Sequence, residues 1–138
     1  MRSIEDQLIM HEGLRLKPYR CPAGYLTIGV GRNLETKGIS ENEALFLLRN
    51  DIEEVTRQLE LFGWYVALGP VRRKVLIDMA FNLGMVGLMG FQKMIEALER
   101  GDYEAAADEM VNSRWYGQVG ERGRRLERMM RTGEDYQV

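Results

Sequence analysis

Three side chains able to take part in bond cleavage fall close together near the N-terminus: Glu12, Cys21 and Thr27. Glu12 stands where a short apolar-periodic segment stops, immediately before Gly13. A carboxyl group between two elements can be partly desolvated, which raises its pKa and keeps a proton ready for a leaving oxygen. A solvated residue at a helix end is the other reading of that position. Cys21 ends a strand-like stretch before the turn Pro22-Ala23-Gly24, and Thr27 lies in the returning stretch beside Tyr25. If Cys21 pairs near Tyr25, Thr27 is its diagonal neighbour at roughly 7–8 Å, which leaves room for a small molecule such as water between the side chains. A lone cysteine is also a common small buried hydrophobe, and both readings stay open.

Other chemistries find less support. His11 and Cys21 could form a thiol peptidase pair. Catalytic thiols, however, are often activated at helix N-termini or by nearby cations, and His11 has no evident orienting partner. One histidine and one cysteine cannot supply the ligand sets usual for zinc, so no metal and no cofactor are expected. Gly29-Val30-Gly31 is too short and strand-like for a nucleotide loop, and glycines in strands commonly mark close backbone approach. Trp64, Tyr65, Trp115 and Tyr116 could stack on sugar rings, but aromatic residues of helical domains more often fill the core, and core is preferred for Trp115. The methionines read as core filling as well.

The elements that must position these groups can be read from local signals. Ser3 and Asp6 form an acidic variant of a capping box, and Ile4, Leu8 and Ile9 supply an apolar stripe, so a first helix is expected to about His11 with Gly13 as its stop. Tyr19, Tyr25, Thr27, Ile28 and Val30 favour strands, so a small antiparallel sheet is expected between Leu16 and Leu34. Ser40 with Glu43 is a full capping box, and Ala44, Leu47, Leu48, Ile52, Val55 and Leu59 recur at helical spacing, which predicts a long helix. Gly69-Pro70 opens another, with Val71, Val75, Met79 and Leu83 inward. Gly84, Gly87 and Gly90 are expected to break the chain before a helix from Phe91 to Arg100. Asp102 caps the alanine-rich segment Tyr103 to Val111, Ser113 caps a short turn, and the basic segment Glu121 to Arg131 stops at Gly133.

The chain of 138 residues suits one domain with a small lobe attached. Its 45% hydrophobic and 29% charged residues exclude a disordered tail. No run approaches the roughly 20 apolar residues of a membrane helix, and the first residues lack a signal peptide's apolar core, so neither stable membrane insertion nor an export signal is expected. The single cysteine allows no intramolecular disulfide, and folding in a reducing cytoplasm is expected. The net charge of −2 hides an asymmetry: residues 35–60 hold seven acids against three bases, and residues 113–131 six arginines against two glutamates. That cluster could attract an anionic polymer or be a solvated helix face.

The string His11-Glu12-Gly13-Leu14-Arg15-Leu16-Lys17-Pro18-Tyr19, followed by Gly24-Tyr25-Leu26-Thr27-Ile28-Gly29-Val30-Gly31, resembles the signature of phage-type lysozymes, glycoside hydrolase family 24. The family spacing is Glu, eight residues, Asp or Cys, five residues, Thr, which falls here on Glu12, Cys21 and Thr27. Ala80-Phe81-Asn82-Leu83-Gly84, Gly90-Phe91 and Ser113-Arg114-Trp115-Tyr116 resemble later family motifs, so the likeness covers nearly the whole chain.

The resemblance implies a lysozyme-like α+β fold, mostly helical. A three-stranded antiparallel sheet lobe with a connecting helix (about 12–60) would join a helical lobe (about 61–138, with the N-terminal helix 1–11). It implies an endolysin that hydrolyses the β-1,4 bond between N-acetylmuramic acid and N-acetylglucosamine of peptidoglycan, with Glu12 as acid and Cys21 and Thr27 holding the water, Thr27 as a hydrogen-bonding group and Cys21 as orienter, base or nucleophile. Phe81 and Asn82 would line the saccharide cleft and Arg122 would approach Glu12. The partners implied are peptidoglycan strands and a separate holin, with no nucleic acid; the protein would be a monomer waiting in the host cytoplasm. The alternatives are a lytic transglycosylase that closes the sugar onto itself, and a non-catalytic wall-binding helical module. Many members carry aspartate where Cys21 stands, and a thiol of unperturbed pKa near about 8.5 is mostly protonated at neutral pH. The histidine that some members carry is here Arg32, a difference that bears on stability more than on chemistry.

Overall fold

The computed structural model describes residues 1–137. It divides into two compact units, one covering Met1–Leu47 and the other starting at Leu48.

The first unit begins with α1 (Ile4–Glu12), whose N-cap Ser3 accepts from the Asp6 amide at 3.0 Å. Gly13 ends the helix at φ 81°, a conformation that glycine adopts without steric cost, and its amide closes onto the Ile9 carbonyl at 2.8 Å. Three strands follow: β1 (Arg15–Arg20), β2 (Leu26–Gly29) and β3 (Arg32–Asn33), antiparallel in the order β1-β2-β3. Tyr19 pairs with Thr27 and Arg20 with Leu26, but the register shifts between Arg15 and Tyr19. Pro18 falls in that interval and has no N–H to give the ladder.

Next comes α2 (Glu41–Leu59), started by the expected capping box: the Glu43 amide donates to Ser40 Oγ at 3.1 Å, and the Ser40 amide to Glu43 Oε1 at 2.8 Å. Its apolar stripe is only partly used. Leu47, Leu48 and Ile52 are exposed, Val55 is half-buried and Leu59 fully buried. A stripe is buried only along the length that a core accompanies, and the core of the second unit takes up the helix at Val55 and Leu59.

The second unit continues with α3 (Gly63–Val66), α4 (Pro70–Met89), α5 (Gln92–Glu99), α6 (Tyr103–Val111), α7 (Arg114–Val119) and α8 (Glu121–Thr132). Pro70 occupies the first turn of α4, where its missing N–H costs nothing. Asp102 caps α6 by accepting from Ala105, Ser113 caps α7 by accepting from Tyr116, and Gly133 ends α8 at φ 73°. Of the three glycines expected to break the chain, Gly84 is non-helical at φ 74°, ψ 161° and kinks α4, and Gly90 follows its end. Gly87 continues the helix, because nothing in its surroundings demands a conformation that only glycine allows. The short α3 was not foreseen; four residues are too few to show a period.

The hydrophobic core runs from Leu59 to Met130 and includes Tyr65, Val75, Leu76, Met79, Met94, Ala97, Met110, Trp115 and Leu126. Five of the nine methionines are buried in it: Met79, Met94, Met110, Met129 and Met130. Trp115 belongs to this core, as preferred from the sequence, and so do Trp64 and Tyr65 of α3.

Candidate active site

In the first unit, Glu12 is the last residue of α1 and its side chain is exposed. What seats it is the turn between β2 and β3. Gly29 and Gly31 stand at φ 69° and φ 66°, so the chain reverses through backbone conformations that L side chains rarely adopt. A Cβ on Gly31 would lie 2.8 Å from Glu12 Oε2 and 3.2 Å from its carboxyl carbon. The Glu12 carboxyl therefore rests against a bare Cα that only glycine provides. The close approach that the two strand glycines suggested is thus real at Gly31; around Gly29 a Cβ would meet nothing within 4 Å.

Cys21 and Thr27 come together as the hairpin register requires. The Cys21 amide donates to the Tyr25 carbonyl at 3.0 Å and the Gly24 amide to the Cys21 carbonyl at 2.8 Å, closing the Pro22-Ala23-Gly24 turn. Thr27 is buried, and its hydroxyl donates to the Tyr25 carbonyl at 2.8 Å. The Cys21 thiol is lowered, first by a backbone hydrogen bond from Tyr25, against a smaller desolvation, then by the Ala23 and Gly24 backbone. Turn amides thus favour the thiolate.

Arg32 braces this unit rather than entering its chemistry. Its Nη1 donates to Glu43 Oε1 at 2.8 Å and to the Gly38 carbonyl at 3.2 Å. The Arg32 guanidinium, with the Ser40 amide and hydroxyl, pulls the Glu43 carboxyl down to about 2. One carboxylate thereby caps α2 and ties it to β3.

In the second unit, Phe81 and Asn82 lie on α4 just before the Gly84 kink, both exposed. Phe81 borders a cavity of about 390 Å³ with Asp51, Gln58 and Met85. Asn82 is oriented by the core: the indole N–H of Trp115 donates to its Oδ1 at 2.8 Å, which turns the amide NH₂ outward. Trp115 itself is gripped from the side by Phe91 in an edge-to-face contact. Arg122, in the first turn of α8, donates from Nε to Asp78 Oδ1 at 2.7 Å. Sequence reasoning missed three pairings: Gly31 against Glu12, Trp115 as the orienter of Asn82, and Asp78 against Arg122. None of these carries a local signal, because the partners are distant in sequence; the strand glycines signalled a close approach but not what approaches.

Half of the arginine cluster is paired internally: Arg122, as above, and two more. Arg124 pairs with Glu121, and Arg131 pairs with Glu104, Asp108 and Glu127. Among the described residues no group of three or more His, Cys, Asp or Glu side chains is arranged to hold a metal ion.

Comparison with known proteins decides what these parts belong to. Residues 10–132 match the family model described as Phage lysozyme. The chain is 35% identical to an Endolysin of Acyrthosiphon pisum secondary endosymbiont phage 1, over 73% of this chain and 70% of that protein. This chain belongs to the phage lysozyme family. It is also 32% identical to a SAR-endolysin of Escherichia phage Mu, over 88% of this chain and 70% of that one. Over 95% of each chain it is 29% identical to the Probable T4-type lysozyme 1 of Dictyostelium discoideum. As a phage lysozyme it is a glycoside hydrolase of the cell wall, and the matched segment contains Glu12, Cys21, Thr27, Phe81, Asn82 and Arg122.

Proposed function

We propose that this chain is an endolysin that hydrolyses the β-1,4 bond between N-acetylmuramic acid and N-acetylglucosamine, releasing phage by lysing the host. The observation that carries the reading is the seating of the Glu12 carboxyl against Gly31 at the end of α1, in the same unit as the Cys21–Thr27 pair. Glycosidases generally need an acid on the leaving oxygen and a second group beside the anomeric carbon. Glu12 gives the proton to the glycosidic oxygen. Cys21 and Thr27 hold the water; the turn amides that lower the thiol raise its thiolate fraction, and the thiolate is the form that can accept the water's proton. The outward amide of Asn82, the exposed ring of Phe81 and the guanidinium of Arg122 bind substrate. The protein works as a monomer, waits in the host cytoplasm and reaches the wall through a separate holin.

Mass spectrometry of a digest of purified peptidoglycan tests the reaction. Hydrolysis leaves reducing N-acetylmuramic ends. A lytic transglycosylase leaves anhydro ends lighter by one water, a peptidase leaves new amino groups, and a binding module leaves the wall intact. Any of the last three products in place of reducing ends contradicts the proposal.

A further inference from the structure

The peptide group between Tyr25 and Leu26 joins the two residues assigned to the water. Its carbonyl accepts from the Cys21 amide at 3.0 Å and from the Thr27 hydroxyl at 2.8 Å, so both lone pairs are used. The other end of the group is the Leu26 N–H. The Leu26 carbonyl accepts from the Leu34 amide at 2.8 Å, and a continuing antiparallel ladder would return the Leu26 N–H to Leu34. β3 stops at Asn33, and the N–H goes instead to Glu35 Oε1 at 3.0 Å. Glu35 is held in turn from two sides. Asn33, the register partner of Thr27, accepts through Oδ1 from the Glu35 and Thr36 amides at 3.0 Å each, which shapes the loop that carries Glu35. Arg20 Nη1 donates to Glu35 Oε1 and, at 3.1 Å, to the Gly24 carbonyl of the Cys21 turn. An exposed ion pair contributes little to stability by itself, and both side chains of this one are exposed. Its effect is geometric. A peptide group is planar, so an acceptor that fixes the N–H end fixes the carbonyl end with it, and a charged acceptor on the N–H strengthens the carbonyl as an acceptor.

We propose that Glu35 is a positioning residue: it anchors the Leu26 N–H and thereby holds the Cys21 backbone and the Thr27 hydroxyl on one peptide carbonyl, in the arrangement that takes up the water. This rests on the reading of Cys21 and Thr27 as the pair that holds the water. The lowered Cys21 thiol accords with it, since the Tyr25 backbone is the first cause of that lowering.

The test compares wild type with Glu35→Ala, which removes the acceptor, and Glu35→Gln, which breaks the ion pair with Arg20 but keeps an oxygen in reach of the Leu26 N–H. Release of reducing ends from soluble peptidoglycan fragments is measured on the full chain, with a melt of the same preparation. Glu35→Ala should lower kcat about tenfold with KM little changed, short of the roughly hundredfold that a misplacement of about 1 Å can cost. Glu35→Gln should recover most of that loss, whereas an ion pair acting through its charge alone would leave the two variants alike. Alkylation of Cys21, the single cysteine, against pH reads the turn without turnover. Its midpoint should move up in Glu35→Ala and stay at the wild-type position in Glu35→Gln. A wild-type kcat in Glu35→Ala, equal losses in the two variants, a raised KM in place of a lowered kcat, or an unmoved alkylation midpoint in Glu35→Ala overturns the proposal and leaves the hydrolase reading standing. If wild type releases no reducing ends, that reading falls and the alkylation midpoints decide alone: no shift in Glu35→Ala rejects the positioning, and a shift that Glu35→Gln restores keeps it. Should Glu35→Ala fail to fold, Glu35→Met, of similar length and without an oxygen, replaces it with the same expectations.

Discussion

The two units of this lysozyme are held together by different means. The unit from Leu48 onward is built around a continuous apolar core, with Val75, Leu76, Met79, Ala97, Met110 and Met130 wholly or almost wholly removed from solvent. The unit Met1–Leu47 buries one described residue, Thr27, and that residue is polar. Its shape comes from a cap at Ser3, glycine turns at Gly13, Gly29 and Gly31, and the Arg32–Glu43 and Arg20–Glu35 pairs. The residues assigned to bond cleavage sit in this second kind of structure. Backbone geometry and hydrogen bonds place Glu12 and Cys21, where packing against a core places the residues of the other unit.

That contrast can be broken by variants that should act on stability in one unit and on turnover in the other. Leu76→Ala, in the core, should cost about 2–5 kcal/mol of stability while leaving the turnover of folded protein near normal. Denaturant melts paired with activity per folded molecule check this. Cys21→Ala should leave the melt almost unchanged and reduce turnover about a hundredfold, and Cys21→Asp should keep substantial activity because a carboxylate can accept the same proton. Equal activity of Cys21→Ala and wild type would reduce Cys21 to a packing residue. Alkylation rates of wild type against pH should rise below the usual thiol range, in line with the lowered thiol.

Gly31→Ala separates strain from displacement. The new Cβ meets both a positive φ and the Glu12 carboxyl, so activity should fall about tenfold or more. Gly29→Ala carries the same backbone strain into open space and should lose stability of about 1–2 kcal/mol with turnover nearly retained. Indistinguishable kinetics for the two would show that the Gly31 seat does not position Glu12. The smallest effect is at Glu43. Its folded pKa, about 2, lies below the unfolded value of about 4.5, so its contribution is complete above pH 4.5 and disappears as pH falls towards 2. Glu43→Gln should flatten the loss of stability across that window, as melts taken from pH 6 to 2 would show.

Much of this was legible along the chain because it is local. The Gly13 stop, the Ser40–Glu43 box, Pro70 at the start of α4, the Asp102 cap and the hairpin that puts Cys21 opposite Tyr25 all depend on residues within a few positions of one another. The spacing of Glu12, Cys21 and Thr27 pointed to a candidate site through its resemblance to a family. What could not be read was whatever depends on separation in sequence: Gly31 against Glu12, Trp115 against Asn82, Asp78 against Arg122. The stripe of α2 shows the converse, since its spacing announces a helix but cannot tell which part of that helix a core will accompany.

The most direct test is Glu12→Gln, with turnover on peptidoglycan and the thermal midpoint measured on the same preparation. Glu12 is exposed, so the substitution should change stability by no more than about 0.5 kcal/mol. Loss of a positioned general acid should lower turnover by roughly 10²–10⁴. A folded Glu12→Gln protein that keeps more than about a tenth of wild-type turnover, a difference of under about 1.4 kcal/mol in the barrier, would contradict the assignment of Glu12 as the acid.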